Sequence, residues 1–547
     1  MSEWVFADVW ERIATLQPEA DCLIQGDRRL SWGQFDQRAD GVADFLLRCG
    51  LGRQAKVAQY LYSCPEYIES VFACFKAALV PVNTNFRYQA DELAELWLDA
   101  DIEAVVFDVS FTDRIEAVRH RLPEIRCWLC VSDGTGAAPS WATPYEQATR
   151  TETPHRRTIA PWGRSPDDLV LLYTGGTTGR PKGVMWRQDD VFGMQNEVGG
   201  VRYRAEAGIE GVGQALAARR HPPPRLVPCA PLVHGTGGFS AYAVLNDGGA
   251  VVLLEGRTFS ARELLDTVQR ERVTQLAIVG DAFSRPIVSE LDAHPGQWDL
   301  SSLWLIVSSG MIWSRQSKDG LLRHLPHLLC LDSLGSSEAI GIGMSRTSAG
   351  AASGGERFVL GPNTRVVDDD GRDVPAGSGL AGVLMMRGRT ALGYYKDAAA
   401  TSRTFRQIDG ELWSAPGDLA TVDADGSVRL LGRGSSVINT GGEKVFAEEV
   451  EEVLKTDPSV FDAAVIGLPD ERFGQTVAAA LQPFAGQVVD IARLVEMAHR
   501  HLAGYKVPRR IVVMESVGRG PTGKLDYQWL RQQLTSGPEG SVTPGSD

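Results

Sequence analysis

Long apolar runs, a basic charge balance and a targeting segment are what this 547-residue chain lacks. No run of eighteen apolar residues occurs, so we expect no transmembrane segment. Residues 1–4 carry neither the basic nor the apolar block of a signal peptide, which predicts a cytoplasmic protein. The net charge of −14 argues against nucleic-acid binding, because a phosphate backbone attracts a basic surface.

Paired cysteine motifs are also scarce. The eight cysteines are scattered, and Cys127 and Cys130 form a single CxxC inside an apolar, strand-like run. No second CxxC and no nearby histidine pair accompanies them, so buried thiols are favoured over a metal or redox site.

The densest cluster of chemically useful residues is the stretch 173–183, which follows the apolar run 169–172. Its glycines let the backbone approach a ligand, and its hydroxyls, N–H groups and cations suit anionic oxygens. A plain surface turn would not need this composition. A Walker P-loop is excluded because Arg180-Pro181 separates Gly179 from Lys182 and a strand-like segment follows. The stretch therefore predicts a phosphate-binding loop of another kind.

The order of the predicted elements indicates an α/β protein with mainly parallel strands. Helix-like and strand-like segments alternate through residues 1–165 and again through 251–310. Residues 356–434 are predicted to be all β, and a small α+β domain follows. We predict an N-terminal domain at 1–433, a C-terminal domain at 434–534 and a disordered, low-complexity tail at 535–547.

Five further segments carry candidate functional residues. His234 follows an apolar strand end and precedes small residues, although a lone histidine is more often structural. Glu338 ends a run of small hydroxyl residues and suits Mg²⁺, which takes one or two carboxylates; a glutamate at a Ser-capped helix start is the alternative. Gly280 and Gly310 follow predicted strands and are candidate pocket walls. Lys524 lies on a Pro/Gly-rich turn and, taken alone, would be a solvated lysine.

Seven motifs occur in the order and approximate spacing of a known family: the phosphate-binding loop, the segments of His234, Glu338 and Lys524, and the stretches 417–418, 432–433 and 441–444. In these motifs the chain resembles the adenylate-forming superfamily of acyl-CoA synthetases, peptide-synthetase adenylation domains and firefly luciferase. The resemblance spans roughly residues 30 to 525 and is strongest to actinobacterial fatty-acyl and steroid side-chain CoA ligases. It implies a large N-terminal domain of α/β sheets plus a β-rich subdomain, with a small mobile α+β C-terminal domain. It also implies a two-step reaction: ATP and an acid give an acyl-adenylate, and coenzyme A then displaces AMP.

The resemblance further implies residue roles. Lys524 would bridge the substrate carboxylate and the α-phosphate, His234 would line the channel at the reacting carbonyl, and Glu338 would bind Mg²⁺. The cofactor-binding residues that it implies, for the phosphates, adenine, ribose and coenzyme A, are Thr174, Gly175, Gly176, Thr177, Thr178, Gly179, Lys182, Gly310, Asp332, Ser333, Leu334, Gly335, Ser337, Asp418, Arg433, Gly441, Gly442 and Lys444.

The sequence departs from the family pattern at several positions. Leu334 stands where an aromatic residue usually packs on adenine, and Ser337 replaces a threonine. Pro416 replaces the threonine before Gly-Asp, Val383 replaces a glutamate, and Ser435 occupies the hinge position of an Asp or Lys. None of these changes removes a charged residue to which the resemblance assigns a role, so we expect activity.

The leading hypothesis is an acyl-CoA synthetase for a bulky or long apolar acid, because the residues at 235–238 and 280–282 are small. The predicted acyl pocket consists of His234, Gly235, Phe239, Gly280, Asp281, Ala282 and Phe283. Alternatives are an adenylation enzyme that loads a carrier-protein thiol, an acyl-AMP ligase, a luciferase-like oxygenase and a catalytically silent nucleotide-binding relative. The resemblance also allows a homodimer.

Overall fold

The structure is a computed structural model. It describes residues 4–132, 134, 136–150, 157–175, 181–219, 221–311, 313–350, 357–368, 370–433, 437–440, 443–470, 474–502, 504–519 and 525–536. Within these ranges the side-chain positions 175, 433, 437, 439, 443, 444, 474 and 536 are not described.

The chain divides into two compact units. The first comprises Met1–Ala352 and Met386–Ser414, and the second comprises Ser353–Met385 and Ala415–Asp547. The predicted division at residues 433 and 434 stays a prediction, and the predicted tail falls mostly outside the described residues.

The first unit contains an eight-stranded, mostly parallel sheet. Its two antiparallel pairs, at one edge, join β9 to β8 and to β19. From that edge its strands are β19 (Gly393–Tyr394), β9 (Pro181–Arg187), β8 (Leu169–Gly175), β4 (Val80–Asn83), β3 (Lys56–Tyr60), β5 (Ile102–Asp108), β6 (Cys127–Val131) and β7 (Thr143–Pro144).

A second, mixed sheet of the first unit is parallel through its centre. Its strands are, in order, β2 (Arg28–Ser31), β1 (Asp21–Gln25), β11 (Ala250–Leu253), β10 (Arg225–Pro228), β12 (Gln275–Ile278), β13 (Leu305–Ser309), β14 (Leu329–Leu334) and β15 (Gly343–Thr347). The strands β20 (Phe405–Ile408) and β21 (Glu411–Ser414) form a hairpin.

Helices of the first unit pack against these sheets. They are α1 (Phe6–Leu16), α2 (Trp32–Arg48), α3 (Pro65–Lys76), α4 (Ala90–Asp99), α5 (Thr112–Arg119), α6 (Tyr145–Ala148), α7 (Gln188–Val198), α8 (Gly211–Ala217), α9 (Gly235–Asn246), α10 (Ala261–Glu271), α11 (Asp281–Ala293), α12 (Arg315–His324) and α13 (Ala398–Thr404).

Local sequence signals account for several of these helices. Ser31 caps α2 and forms a capping box with Gln34, and Ser260 caps α10 by accepting from the Glu263 N–H. The aromatic and branched residues of α3 are buried in the core, as their helical spacing indicates. Among the described residues, no helix combines the length and apolar character needed to cross a membrane.

The second unit contains two sheets. The first has the order β16 (Arg357–Leu360), β23 (Val428–Arg433), β22 (Asp418–Val422) and β18 (Ala381–Arg387), and β17 (Thr364–Val367) pairs with β18. The second has the order β25 (Glu443–Phe446), β24 (Val437–Thr440), β27 (Gly474–Pro483) and β26 (Val460–Asp470), and β28 (Arg510–Val513) pairs with β27. Its helices are α14 (Ala447–Lys455), α15 (Ile491–His501) and α16 (Tyr527–Ser536).

The predicted α/β class is confirmed, but one regional prediction was wrong. Residues 356–434 are not all β, since α13 lies within them. Asp397 caps this helix by accepting from the Ala400 N–H at 2.8 Å, and alanines at 398–400 favour it. The alternative for Glu338 is not seen either, because the residues after β14 form irregular turns rather than a helix.

Candidate active site

The predicted phosphate-binding stretch forms an antiparallel hairpin. Strands β8 and β9 pair so that Thr174 lies opposite Lys182 and Gly175 lies opposite Pro181. Residues 176–180, which include the predicted Gly176, Thr177, Thr178 and Gly179, lie outside the described residues. The hairpin therefore fixes both ends of the predicted loop. It also places the cation Lys182 opposite Thr174, next to the last residue pair before the loop.

Tyr394 joins this hairpin to Glu338. Its strand, β19, pairs with β9, which places its ring 5.2 Å from Lys182 Nζ. The Tyr394 hydroxyl donates to Glu338 Oε1 at 2.7 Å. Lys182 Nζ also lies 3.4 Å from Asp397 Oδ2. Lys182 and Glu338, which are predicted to act on the same polyphosphate, therefore both contact the side chain of Tyr394.

Glu338 is held from the backbone side as well. Trp186 of β9 donates from its ring nitrogen to the Ser337 carbonyl at 2.8 Å, and the Ala391 N–H donates to the Glu338 carbonyl at 3.2 Å. The residue is only 9% exposed. Ser336 supports the turn by accepting from the Glu338 N–H at 3.2 Å. The carboxylate is therefore oriented before any ligand arrives.

The donor set fits Mg²⁺ in one specific way. Among the described residues, no group of three or more His, Cys, Asp and Glu side chains converges as a metal cage. A hard cation at Glu338 would accordingly complete its shell with water and nucleotide phosphate oxygens, which is how Mg²⁺ usually binds in such sites.

Asn83 links the phosphate hairpin to the His234 segment. Its Nδ2 donates to the carbonyls of Tyr173 and Val233, both at 2.8 Å, and its Oδ1 accepts from the Tyr173 N–H at 2.6 Å. His234 is the residue before α9, whose first turn begins at Gly235. The single amide of Asn83 thereby sets the position of β8 relative to the histidine.

The carboxyl ends of β13 and β14 form a neighbouring wall. Gly310 has φ +91°, which a residue with a side chain rarely adopts, and its missing side chain would point to Thr236, 3.8 Å away. Ser333 and Leu334 end β14, Gly335 follows, and Leu334 is buried. The wall thus brings together most of the residues predicted to flank adenine.

Asp332 forms a buried ion pair with Lys318 of α12. The ammonium donates to Asp332 Oδ2, and both side chains are nearly inaccessible to solvent. Burial raises the pKa of Asp332 to about 6, although the Lys318 charge opposes this shift. The Asp332 carboxylate is already paired with Lys318. Its contacts therefore indicate a structural role in this wall more than direct binding of a nucleotide.

The predicted acyl-pocket residues separate into two groups. A small cavity beside His234, Gly235 and Phe239 has about 20 Å³ open to the centres of water molecules. Asp281 instead faces α12, where its Oδ1 accepts from the Ser314 N–H at 3.0 Å and from the Ser317 hydroxyl at 2.6 Å. Residues 280–283 do not line this cavity.

Two glycines of α9, Gly237 and Gly238, pack closely against neighbouring backbone. A side-chain carbon at Gly237 would lie 2.4 Å from the carbonyl oxygens of Ala230 and Pro231, and one at Gly238 would lie 2.8 Å from that of Leu232. Gly238 also lines the cavity beside His234, so the expectation that the small residues at 235–238 leave space for a bulky acid stays a prediction.

The second unit carries the predicted ribose and C-terminal residues. Strands β22 and β23 place Asp418 opposite Arg433, and Asp418 is buried. Arg519 donates to Glu451 at 3.1 Å and to Asp462 at 2.7 Å, and an isolated bridge pairs it with Leu525. Gly441, Gly442 and Lys524 lie outside the described residues, as do the side chains of Arg433 and Lys444. All predicted site roles stay predictions.

Sequence reasoning missed three residues that organise the first unit's site: Tyr394, Asn83 and Lys318. Asn83 and Tyr394 contact the hairpin from β4 and β19, far along the chain, whereas Lys318 acts through Asp332 of β14, 14 positions away.

A family model described as "AMP-binding enzyme" matches residues 10–395, and one described as "AMP-binding enzyme C-terminal domain" matches 449–524. The chain belongs to the AMP-binding enzyme family. The predicted adenylate-forming superfamily, and the prediction that the chain is an enzyme, are confirmed.

Curated members of the AMP-binding enzyme family match along almost the whole chain. The medium/long-chain-fatty-acid–CoA/3-oxocholest-4-en-26-oate–CoA ligase of Mycolicibacterium smegmatis is 38% identical and covers 98% of this chain and 97% of its own. The 3-oxocholest-4-en-26-oate–CoA ligase of Rhodococcus rhodochrous is 37% identical and covers 99% of this chain and 98% of its own.

Solved structures share the fold of this AMP-binding enzyme. The anthranilate CoA ligase AuaEII in complex with anthranoyl-AMP superposes with a TM-score of 0.82 at 24% identity, covering 98% of each chain. ATP-bound MatB from Rhodopseudomonas palustris gives a TM-score of 0.79 at 23% identity, covering 98% of this chain and 99% of its own.

Proposed function

We propose that this enzyme is an ATP-dependent, AMP-forming acyl-CoA ligase for a medium-chain, long-chain or steroid side-chain carboxylic acid. The observation that carries the proposal is the Lys182–Tyr394–Glu338 cluster, which joins the phosphate hairpin to a buried carboxylate. The proposal is supported by curated relatives from actinobacteria named as ligases of fatty acids and of a cholestenoate with coenzyme A.

In the first half-reaction the protein must bring two anions together. Thr174, Lys182 and the loop residues Thr177 and Thr178 bind the β- and γ-phosphates and lower the repulsion that the acid carboxylate meets. Glu338 would hold Mg²⁺, and the ion would supply positive charge to offset that of the phosphate oxygens. Tyr394 keeps the Glu338 carboxylate in its binding orientation.

Residues of the second unit complete the chemistry. Asp418 accepts hydrogen bonds from the ribose hydroxyls, Arg433 donates to the ribose or phosphate, and Lys524 bridges the carboxylate and the α-phosphate. For the second half-reaction, the Gly441-Gly442 loop lines the path of the pantetheine arm, and Lys444 binds the phosphates of coenzyme A. His234 lies at the reacting carbonyl in both steps.

The test is pyrophosphate release from ATP with a panel of acids, measured with and without coenzyme A. The panel contains medium- and long-chain fatty acids, 3-oxocholest-4-en-26-oate and, as small aryl acids, indoleacetate and anthranilate. We expect release with the first two classes, and an acyl-CoA product when coenzyme A is present.

Two other outcomes would contradict the proposal. Adenylate formation without transfer to coenzyme A would point to an enzyme that loads a carrier-protein thiol. Failure of every acid to release pyrophosphate, with ATP binding retained, would point to a nucleotide-binding relative without catalysis.

A further inference from the structure

The cavity beside His234 contains a polar group that the proposed chemistry does not use. It lies between the first sheet and helices α3 and α9, and its apolar walls include Val71, Leu172 and Phe239. Gln59 of β3 also lines it and is only 1% exposed. Glutamine is an unusual choice for a fully buried position on a parallel strand.

The Gln59 amide is only half satisfied. Its Nε2 makes a long contact of 3.9 Å with Cys74 Sγ, while its Oε1 has no hydrogen-bond donor among the described residues. Asn83, which lines the same cavity, differs because both of its amide atoms are bonded to the backbone. Buried amide oxygens are rarely left without a donor, so the open acceptor points to a donor on a ligand.

The size of the cavity limits what this ligand group can be. The 20 Å³ open to water centres corresponds to about one or two water-sized groups. A hydroxyl-bearing carbon has this size, whereas a steroid nucleus or a long chain segment does not. A hydroxyl also supplies the proton that Oε1 lacks.

We propose that Gln59 is a specificity-determining residue that accepts a hydrogen bond from a hydroxyl group on the acyl chain. The inference rests on the proposed function, since it treats the cavity next to His234 as part of the acyl site. Gln59 would then favour hydroxylated acids over the matching unsubstituted ones, because the buried acceptor stays unpaired when the hydroxyl is absent.

The first test compares acids in the full-length enzyme. A series of medium-chain acids, each carrying one hydroxyl at a different carbon, is assayed for pyrophosphate release beside the unsubstituted parent and a keto acid. We expect one hydroxyl position to raise kcat/KM by about tenfold or more over the parent. Gln59→Leu should remove this preference without lowering kcat/KM for the parent acid.

A matched control uses the same substitution outside the cavity. Gln25 of β1 donates to the carbonyls of Ser63 and Leu254, at 3.2 and 2.9 Å. Gln25→Leu should therefore lower the Tm of the ligand-free enzyme and leave the hydroxyl preference unchanged. Gln59→Leu should leave this Tm equal or higher, because it removes an unpaired buried acceptor.

Three results would overturn the inference while the proposed function stands. They are activation of unsubstituted acids with no preferred hydroxyl position, a preference that survives Gln59→Leu, and a keto acid preferred over its hydroxy counterpart. If no acid releases pyrophosphate, the proposed function fails and the inference fails with it.

Discussion

Tyr394 connects two groups that are predicted to act on the phosphates, Lys182 and the Glu338 carboxylate. Its hydroxyl orients Glu338, and its ring faces Lys182. We expect Tyr394→Phe to keep the ring packing but to lower the rate of pyrophosphate release by about tenfold, the value of one hydrogen bond to a charged group. The variant should also need more Mg²⁺ for half-maximal activity, because its Glu338 carboxylate is no longer fixed.

The neighbouring tyrosine provides the control for this prediction. Tyr395 donates its hydroxyl to Asp101 at 2.8 Å at the protein surface. Tyr395→Phe should leave both the rate and the Mg²⁺ requirement unchanged. Equal effects of the two substitutions would show that Tyr394 acts through general packing and not through Glu338.

The buried Lys318–Asp332 pair predicts a pH-dependent effect on stability. We expect Lys318→Met to lower the free energy of unfolding by about 3–5 kcal/mol near neutral pH, because Asp332 must then keep a buried charge without this partner or take up a proton on folding. The folded-state pKa of Asp332 is raised to about 6, so this carboxyl is mostly neutral at lower pH. The loss should therefore be smaller at about pH 5 than at about pH 7.5.

Urea unfolding at the two pH values measures this difference. The double variant Lys318→Met/Asp332→Leu removes both charges and should recover much of the stability at the higher pH, since an apolar pair of similar size replaces the ion pair. If Lys318→Met lowered the free energy of unfolding equally at both pH values, the stabilisation would come from packing of the lysine stem and not from its charge.

At the scale of elements, Lys76 of α3 ties three helices together. Its ammonium is fully buried and donates to Glu11 of α1 at 2.8 Å and to Asp36 and Asp40 of α2 at 2.7 and 3.0 Å. Burial lowers the pKa of Lys76, but the three carboxylates more than offset this, so its pKa is raised. The charge is therefore kept and shared among the helices.

We expect Lys76→Met to lower the free energy of unfolding by about 3–5 kcal/mol, because three carboxylates lose their common partner in a buried place. Lys396→Met is the matched control. Lys396 pairs with Asp101 at 2.6 Å on the surface, where an ion pair contributes less than about 1 kcal/mol. Urea unfolding measures both variants. If they lost similar free energies of unfolding, burial would not be what makes the Lys76 charge important for stability.

Local pattern determined much of what could be predicted from the sequence. Capping residues such as Ser31 and Ser260 and the alternation of strands and helices follow from short-range preferences. The pairing of Thr174 with Lys182 likewise joins residues only eight positions apart. Tyr394, Asn83 and Gln59 could not be predicted, because their roles depend on tertiary contacts or on the lack of one.

At the scale of the whole molecule, the proposed reaction assigns its two steps to different lysines of the second unit. Lys524→Ala should lower adenylate formation by about 10²–10³ through the loss of one preorganised charge, and should spare thioester formation from a supplied acyl-adenylate. Lys444→Ala should lower thioester formation from the supplied acyl-adenylate and spare adenylate formation. Pyrophosphate release measures the first step, and acyl-CoA formation from a chemically prepared acyl-adenylate measures the second. Lys506→Ala, which removes a half-buried ion pair with Glu449, is the control and should leave both steps intact. If either variant slowed both steps equally, its lysine would not be specific to one half-reaction.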